Sequence, residues 1–206
     1  MLKVIMIRHG MTYGNTLGRY IGTTDEPILE SEAENLKKYR FEPVDAVYSS
    51  PMKRCVETAK ILFPDNKAEL IQGFRECDFG EFENKNYQEL SDNPNYQEWV
   101  NSGGKNAFPD GESPQEFIQR TVDAFTEIVK KARFFEYEQI ALVVHGGTIM
   151  SILDAYGIPH QDYFDWHVGN GEGYIVRFNP EAYMAGTREL VVDGKIVRDN
   201  NGDTLC

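Results

Sequence analysis

The sequence predicts an α/β fold, a three-layer sandwich with a mainly parallel central sheet flanked by helices, and three observations predict it. Short apolar runs, partly β-branched, recur at Leu2–Ile7, Val44–Tyr48 and Gln139–Val144. Helix-like stretches separate them, as crossover connections between parallel strands require. Residues able to do chemistry follow directly after each run, where parallel sheets place their ligand crevice.

Leu2–Ile7 reads as a buried strand and leads at once into Arg8-His9-Gly10. Glu30–Tyr39 is charged and helical in pattern, ending at the turn signal Phe41-Glu42-Pro43. After the Val44–Tyr48 strand, Ser50 suits an N-cap and Pro51 a first helical position, opening a helix through Leu62. Residues 63–112, rich in Gly, Asn, Asp, Pro and aromatics, read as an excursion with short helices over the crevice. Ser113-Pro114-Gln115-Glu116 matches a capping box and opens a helix to about Arg133. Gln139–Val144 is the third strand and Gly147–Tyr156 the helix after it. Gly173–Phe178 and two strands about an Asp193-Gly194 turn close the chain.

With 206 residues the chain fits one domain spanning 1–206. Its 41% hydrophobic and 26% charged residues are ordinary for a soluble protein. A cleavable leader would remove the first motif, so a cytoplasmic location is expected. Cys55, Cys77 and Cys206 form neither a disulfide framework nor a metal-binding pattern and read as reduced thiols. A net charge of −12 argues against nucleic acid or an anionic membrane as partner. Capture of a phosphate would therefore rest on local groups. Oligomeric state is not legible.

Four clusters carry the chemistry. In Arg8-His9-Gly10-Met11-Thr12, with Asn15 beyond, a neutral imidazole is a competent nucleophile towards phosphorus. Arg8 offers a planar fork of donors that matches phosphate oxygens, and Gly10 permits close backbone approach. Thr12 and Asn15 add neutral donors. A polar loop with a merely hydrogen-bonded histidine would look the same. Arg54 falls on the first turn of a helix whose free amides favour anions, although an arginine on a solvated helix face is the commoner case. His145, in His145-Gly146-Gly147-Thr148, would stabilise transferring oxygens if cationic, or would be a satisfied core histidine if not. The stretch from Arg75 to Glu83 holds Glu76, Asp78, Glu81 and Glu83, and an alkyl phosphate needs one acid to protonate its leaving oxygen. Glu76 is the candidate, with the others read as surface charges, but the residues alone do not choose.

Taken together these motifs resemble the histidine phosphatase superfamily, which includes cofactor-dependent phosphoglycerate mutases. Arg-His-Gly-x-Thr-x-x-Asn, Ser-Ser-Pro-x-x-Arg, Arg-Glu-x-x-x-Gly and His-Gly-Gly occur in order from Arg8 to beyond His145. The resemblance implies a phosphoglycerate mutase-like fold and a metal-independent phosphomonoesterase without a cofactor. It implies His9 as the phosphorylated nucleophile, and Arg8, Arg54, His145 and Asn15 as the phosphate shell. Glu76 becomes the proton donor on the same ground. Gly18–Pro27, Glu76–Leu90 and Pro109–Ser113 resemble the α-ribazole phosphatase branch, which adds Thr12 and Gly22 as substrate-binding positions. The expected partner is a small-molecule phosphomonoester. Met11, Gly14, Glu32 and Asn84 depart from residues usual in the family. A mutase and a non-catalytic phosphate-binding module are the two competing readings. Trp99, Trp166, Phe108 and Tyr87 suit either pocket or core; His160 and His167 read as surface or rim groups.

Overall fold

A computed structural model of the chain describes residues 1–198 and 204–205. In chain order the elements are β1 (Leu2–Arg8), α1 (Tyr13–Thr16), α2 (Glu30–Leu36), β2 (Ala46–Ser49), α3 (Lys53–Leu62) and β3 (Glu69–Leu70). There follow α4 (Pro94–Asn101), α5 (Pro114–Phe134), β4 (Gln139–Val144), α6 (Gly146–Tyr156), β5 (Gly157–Ile158), β6 (Gly173–Phe178), α7 (Pro180–Met184), β7 (Leu190–Arg198) and β8 (Thr204–Leu205).

The sheet runs β3-β2-β4-β1-β6-β7-β5, with β8 paired to β7. Strands β3, β2, β4 and β1 are mutually parallel, so the carboxyl ends of β1, β2 and β4 meet on one side. β6 is antiparallel to β1, with Ile7 opposite Gly173, which brings residues just before β6 to that same side. β7 is antiparallel to β6, so its own carboxyl end, Arg198, returns there as well.

Alternation along the central strands divides the core between the two faces, as strand periodicity demands. Val4 and Met6 of β1 with Ile140, Leu142 and Val144 of β4 pack against Phe125, Ile128 and Val129 of α5 and Ile149 and Ile152 of α6. Ile5, Ile7, Ala141 and Val143 point the other way, onto Leu36 of α2 and Cys55, Ala59 and Leu62 of α3. Trp166 belongs to the first cluster. A third, largely aromatic cluster holds Phe82, Leu90, Tyr96, Phe108 and Phe117, with Trp99 against it, and gives the 63–112 excursion a core of its own. Trp99, Phe108 and Trp166 are thus packing residues, whereas Tyr87 is 64% exposed. The Ser113 capping box is present, closed by Ser113 Oγ and the Glu116 side chain.

Two local expectations are corrected. Asp193-Gly194 is not a turn: β7 runs straight through it, and the register against β6 shifts between Ile175 and Val176, leaving Asp193 as an extra residue in a bulge. The partner of the end of β7 is β8. Helix α3 begins at Lys53 with Met52 as its uncapped N-cap, two residues later than Ser50-Pro51 suggests. The hydroxyl of Ser50 has another partner, His145. The α2 helix also stops at Leu36 rather than Tyr39.

Candidate active site

Three of the strand-end clusters converge. His9 follows β1, and its amide donates to Val144 O at 2.9 Å, tying the loop to the end of β4. The residue directly after β4 is His145, and the two imidazoles lie 5.2 Å apart, edge to face. His9 is 3% exposed and His145 and Arg54 fully buried. His9 Nδ1 lies 2.8 Å from Gly10 O. A carbonyl can only accept, so the ring proton sits on Nδ1 and Nε2 keeps its lone pair. Burial, and then Arg54 and Arg8, hold the His9 pKa well below the ordinary imidazole range.

Both arginines are anchored through their terminal nitrogens, with Nε left without a partner. Arg8 gives Nη1 to Val168 O at 2.8 Å. Arg54 gives Nη1 to Thr24 O at 2.8 Å and Nη2 to Gly22 O and Ile21 O at 3.0 and 3.2 Å. Nε of each is buried without a partner, a costly arrangement unless an anion completes it. Among the described residues only Nη1 of the Arg8 fork is committed to the protein, and Nε is not. Gly146, first residue of α6, lies against Arg8 Nε, where a side chain's first carbon would come within 3.5 Å. No side chain caps α6, so its first amides also face this region. The start of α3 contributes less than its sequence suggests, since Lys53 N already donates to Asp25 Oδ1 at 2.7 Å.

His145 contacts Ser50 Oγ through Nε2 at 2.8 Å and faces Glu76 Oε2 from Nδ1 at 3.8 Å. Burial, Arg54, His9 and Arg8 hold its pKa well below the ordinary value. Of the two readings of His145 open from sequence, burial and the two nearby guanidinium groups favour the neutral ring. Glu76 accepts Cys77 N at Oε1 (3.0 Å), and burial raises its pKa above the usual carboxylate value. Asn15 Oδ1 accepts from Thr12 N at 3.2 Å and from Asn170 Nδ2 at 3.1 Å, which leaves its own amide nitrogen to donate.

Thr12 and Gly22 are both engaged by the scaffold. Thr12 is buried and caps α1 through its hydroxyl. Gly22 gives its amide to Glu83 Oε1 at 2.9 Å and its carbonyl to Arg54, and a side chain there would collide with Cys77 O. A surface groove between residues 72–78 and α5 is lined by Glu76, Arg75 and Arg120 but by none of His9, Arg8, Arg54 or His145.

Three contributors escape a reading by motif. Asn170 donates to His9 O at 3.1 Å as well as to Asn15. Arg120 chelates Glu112 at 2.6 and 2.7 Å and donates to the carbonyls of Gly73, Arg75 and Glu76. Glu83, expected as a surface charge, holds the amides of Gly22 and Thr24, each at 2.9 Å. Asn170 sits in a Gly-Asn-Gly turn, a visible signal; the other two partnerships are long-range and carry none. His160 and His167 are exposed.

Residues 4–187 match the model of the histidine phosphatase superfamily (branch 1). The adenosylcobalamin/α-ribazole phosphatase of Escherichia coli K12 is 30% identical over 181 residues, 82% of this chain and 87% of that protein. A putative phosphoserine phosphatase 2 of Hydrogenobacter thermophilus is 28% identical over 179 residues, 82% and 86% of the two. Among solved structures, a putative α-ribazole-5'-P phosphatase from E. coli K-12 superposes with a TM-score of 0.77 at 24% identity, over 93% of this chain and 94% of that one. A phosphoglycerate mutase from Thermus thermophilus shares the fold with a TM-score of 0.68 at 24% identity, over 96% and 100%. The phosphoglycerate mutase-like α/β architecture expected from the sequence is the one observed, and with a family match across most of its length the chain belongs to the histidine phosphatase superfamily.

Proposed function

We propose that this chain is a phosphomonoesterase that takes the phosphoryl group of a small phosphomonoester onto His9 Nε2 and passes it to water. The observation that carries the reading is the hydrogen bond from His9 Nδ1 to Gly10 O, which leaves Nε2 unprotonated beside two unpartnered buried guanidinium N–H groups. In the first step the Nε2–P bond forms and the P–O bond to the alcohol breaks. Glu76, whose pKa burial raises, gives its proton to the departing oxygen. In the second step water attacks phosphorus, Glu76 takes the water's proton, and the N–P bond breaks to restore neutral His9.

The equatorial oxygens are held by Arg8 Nε, Arg54 Nε, the Asn15 amide and the first amides of α6, donors that are in place before substrate arrives. His145 joins them as a neutral donor. Ser50 Oγ accepts from Met52 N, so its own proton is free to go to His145 Nε2, which puts the ring proton on Nδ1, facing Glu76. These side chains supply the charge that the transferring group needs, so the scheme uses neither metal nor cofactor.

The names of relatives include α-ribazole phosphatase, phosphoserine phosphatase, a broad-specificity phosphatase and a probable phosphoglycerate mutase. The resemblance of Gly18–Pro27 and Glu76–Leu90 to the α-ribazole phosphatases makes α-ribazole 5'-phosphate the first substrate to test. The whole chain works as one domain in this reading, and the 63–112 excursion, which supplies Glu76, shapes the choice of alcohol. Nucleic acid and anionic membranes do not suit a chain of net charge −12. A reducing compartment such as the cytoplasm suits the free thiols of Cys55 and Cys77. No helix among the described residues is long and apolar enough to cross a membrane.

A rapid-quench experiment tests the proposal. Substrate turnover should build up a phosphoenzyme that is acid-labile and alkali-stable, with no need for a bisphosphorylated primer. His9→Ala should remove it and lower kcat by at least about a thousandfold, as expected for loss of a covalent nucleophile. Turnover by His9→Ala at the wild-type rate would overturn the assignment. A panel of α-ribazole 5'-phosphate, phosphoserine, phosphoglycerates and an aryl phosphate ranks the substrates.

A further inference from the structure

The His9–Gly10 peptide rests on a buried ion pair that the mechanism above does not use. Glu32 of α2 is 4% exposed, and its side chain lies directly under Gly10: a first side-chain carbon on Gly10 would come within 2.8 Å of Glu32 Cγ. Arg198, at the carboxyl end of β7, binds Glu32 in bidentate fashion, Nη1 to Oε2 at 3.0 Å and Nη2 to Oε1. Its Nε donates to Tyr39 Oη at 3.0 Å, so all three guanidinium nitrogens are engaged.

The same guanidinium lies against Gly171, whose φ of +74° and bare α-carbon let it approach; any side chain there would strike Arg198 Nη2. Gly171 N donates to Arg8 O at 3.0 Å and His9 O at 3.2 Å, and the neighbouring Asn170 donates to His9 O. The pair thus supports the nucleophile's peptide from two sides, Glu32 beneath Gly10 and Arg198 behind the 169–172 turn. The segment supported in this way carries Gly10 O, the acceptor that places the His9 proton on Nδ1.

We propose that Glu32 and Arg198, completed by Tyr39, are positioning residues for the nucleophile: they fix the Gly10 carbonyl and with it the tautomer and aim of the His9 ring. Two features argue against a generic stabilising pair. Ion pairs on a surface need no burial, and this one accepts the cost of desolvation at a single place, the underside of the catalytic loop. Bidentate geometry also constrains orientation as well as distance, which is what an imidazole held by one carbonyl requires. The inference rests on His9 as the phosphoryl acceptor for its kinetic consequence, but the effect on ring geometry stands apart from turnover.

The test compares Glu32→Gln, Arg198→Lys and Tyr39→Phe with the parent, on the folded fraction and below each variant's Tm. The first two keep the side-chain length but lose the charge or the bidentate grip; the third removes one hydroxyl and is expected to fold in every case. Glu32→Gln and Arg198→Lys should lower kcat by about ten- to a hundredfold with KM within about threefold, the loss typical of a displaced reacting group. Tyr39→Phe should lower it by a smaller factor in the same direction. In nitrogen-15 spectra of the unliganded protein, the His9 ring should shift from a pure Nδ1–H tautomer towards a mixture with Nε2–H, in step with the kinetic loss. Lower Tm with kcat unchanged and the Nδ1–H signature intact in Arg198→Lys and Tyr39→Phe would reduce the pair to a stabilising contact and overturn the proposal. If His9 proves not to be phosphorylated, the ring spectra still decide whether the pair sets the tautomer.

Discussion

Burial pulls the His9 pKa down and pushes the Glu76 pKa up, and both shifts favour the proposed first step. The reactive form has neutral His9 and protonated Glu76. His9 is neutral above its depressed pKa, so kcat/KM should persist below pH 6.5, the ordinary imidazole value. Glu76 is protonated below its raised pKa, so the alkaline decline should set in above the ordinary carboxylate value of 4.5. Glu76→Gln should erase that alkaline limb and lower kcat by about 10²- to 10⁴-fold on an alkyl phosphate. An aryl phosphate, with its better leaving group, should lose much less. An alkaline limb that survives in Glu76→Gln would move the proton donor to another residue.

At the scale of elements, two loops are held by single long-range side chains. Arg120 reaches from α5 to the carbonyls of Gly73, Arg75 and Glu76, and its charge is matched by Glu112. Arg120→Met leaves Glu112 partly buried and unpaired and frees the segment bearing Glu76, the proposed acid. Stability should fall by about 2–4 kcal/mol in denaturant titrations, and kcat by about ten- to a hundredfold. Glu83 acts one step away from Arg54: it holds the amides of Gly22 and Thr24, whose carbonyls hold the guanidinium. Glu83→Gln keeps the shape but weakens both bonds, so inhibition by inorganic phosphate should weaken by about tenfold. Unchanged phosphate inhibition would show that the 21–24 loop keeps its carbonyls in place unaided.

For the molecule as a whole, charge and protonation make opposite demands. A chain of net charge −12 repels a dianionic substrate at long range, although its site is locally positive. Raising ionic strength from about 10 to about 150 mM with a salt whose anion does not compete should therefore raise kcat/KM, because screening removes the repulsion. A fall would mean that the local cations dominate encounter. Folding has its own dependence. His9 and His145 are both depressed in the folded state, so the folded chain binds fewer protons than the unfolded one as pH drops. Stability is complete above the unfolded imidazole pKa of 6.5 and is lost as pH falls below it. Tm should decline on acidification from neutral pH, and His145→Gln should flatten part of the decline.

Much of this was legible in order along the chain. Gln139–Val144, Gly173–Phe178 and the Ser113 capping box matched to the residue, because period, caps and β-branching are local properties. The convergence of His9, Arg54 and His145 was legible too, since strands β1, β2 and β4 are parallel and each cluster follows a strand end. Asp193-Gly194 misled because the same dipeptide that makes a turn also fits a bulge, and only the register with β6 distinguishes them. Ser50 misled because its hydroxyl, free in principle to cap α3, is claimed by His145 from another strand.

The order of residue types by itself determined the fold class, the strand-end placement of the chemistry and the identity of the cluster around His9. Tertiary structure alone decided the rest. Antiparallel pairing of β6 and β7 brought Asn170 to His9 and Arg198 to Glu32 from more than 150 residues away in sequence. Burial pushes the pKa values of both imidazoles down and that of Glu76 up. Those outcomes depend on desolvation and on which charges face each other across the fold, quantities that no stretch of neighbouring residues contains.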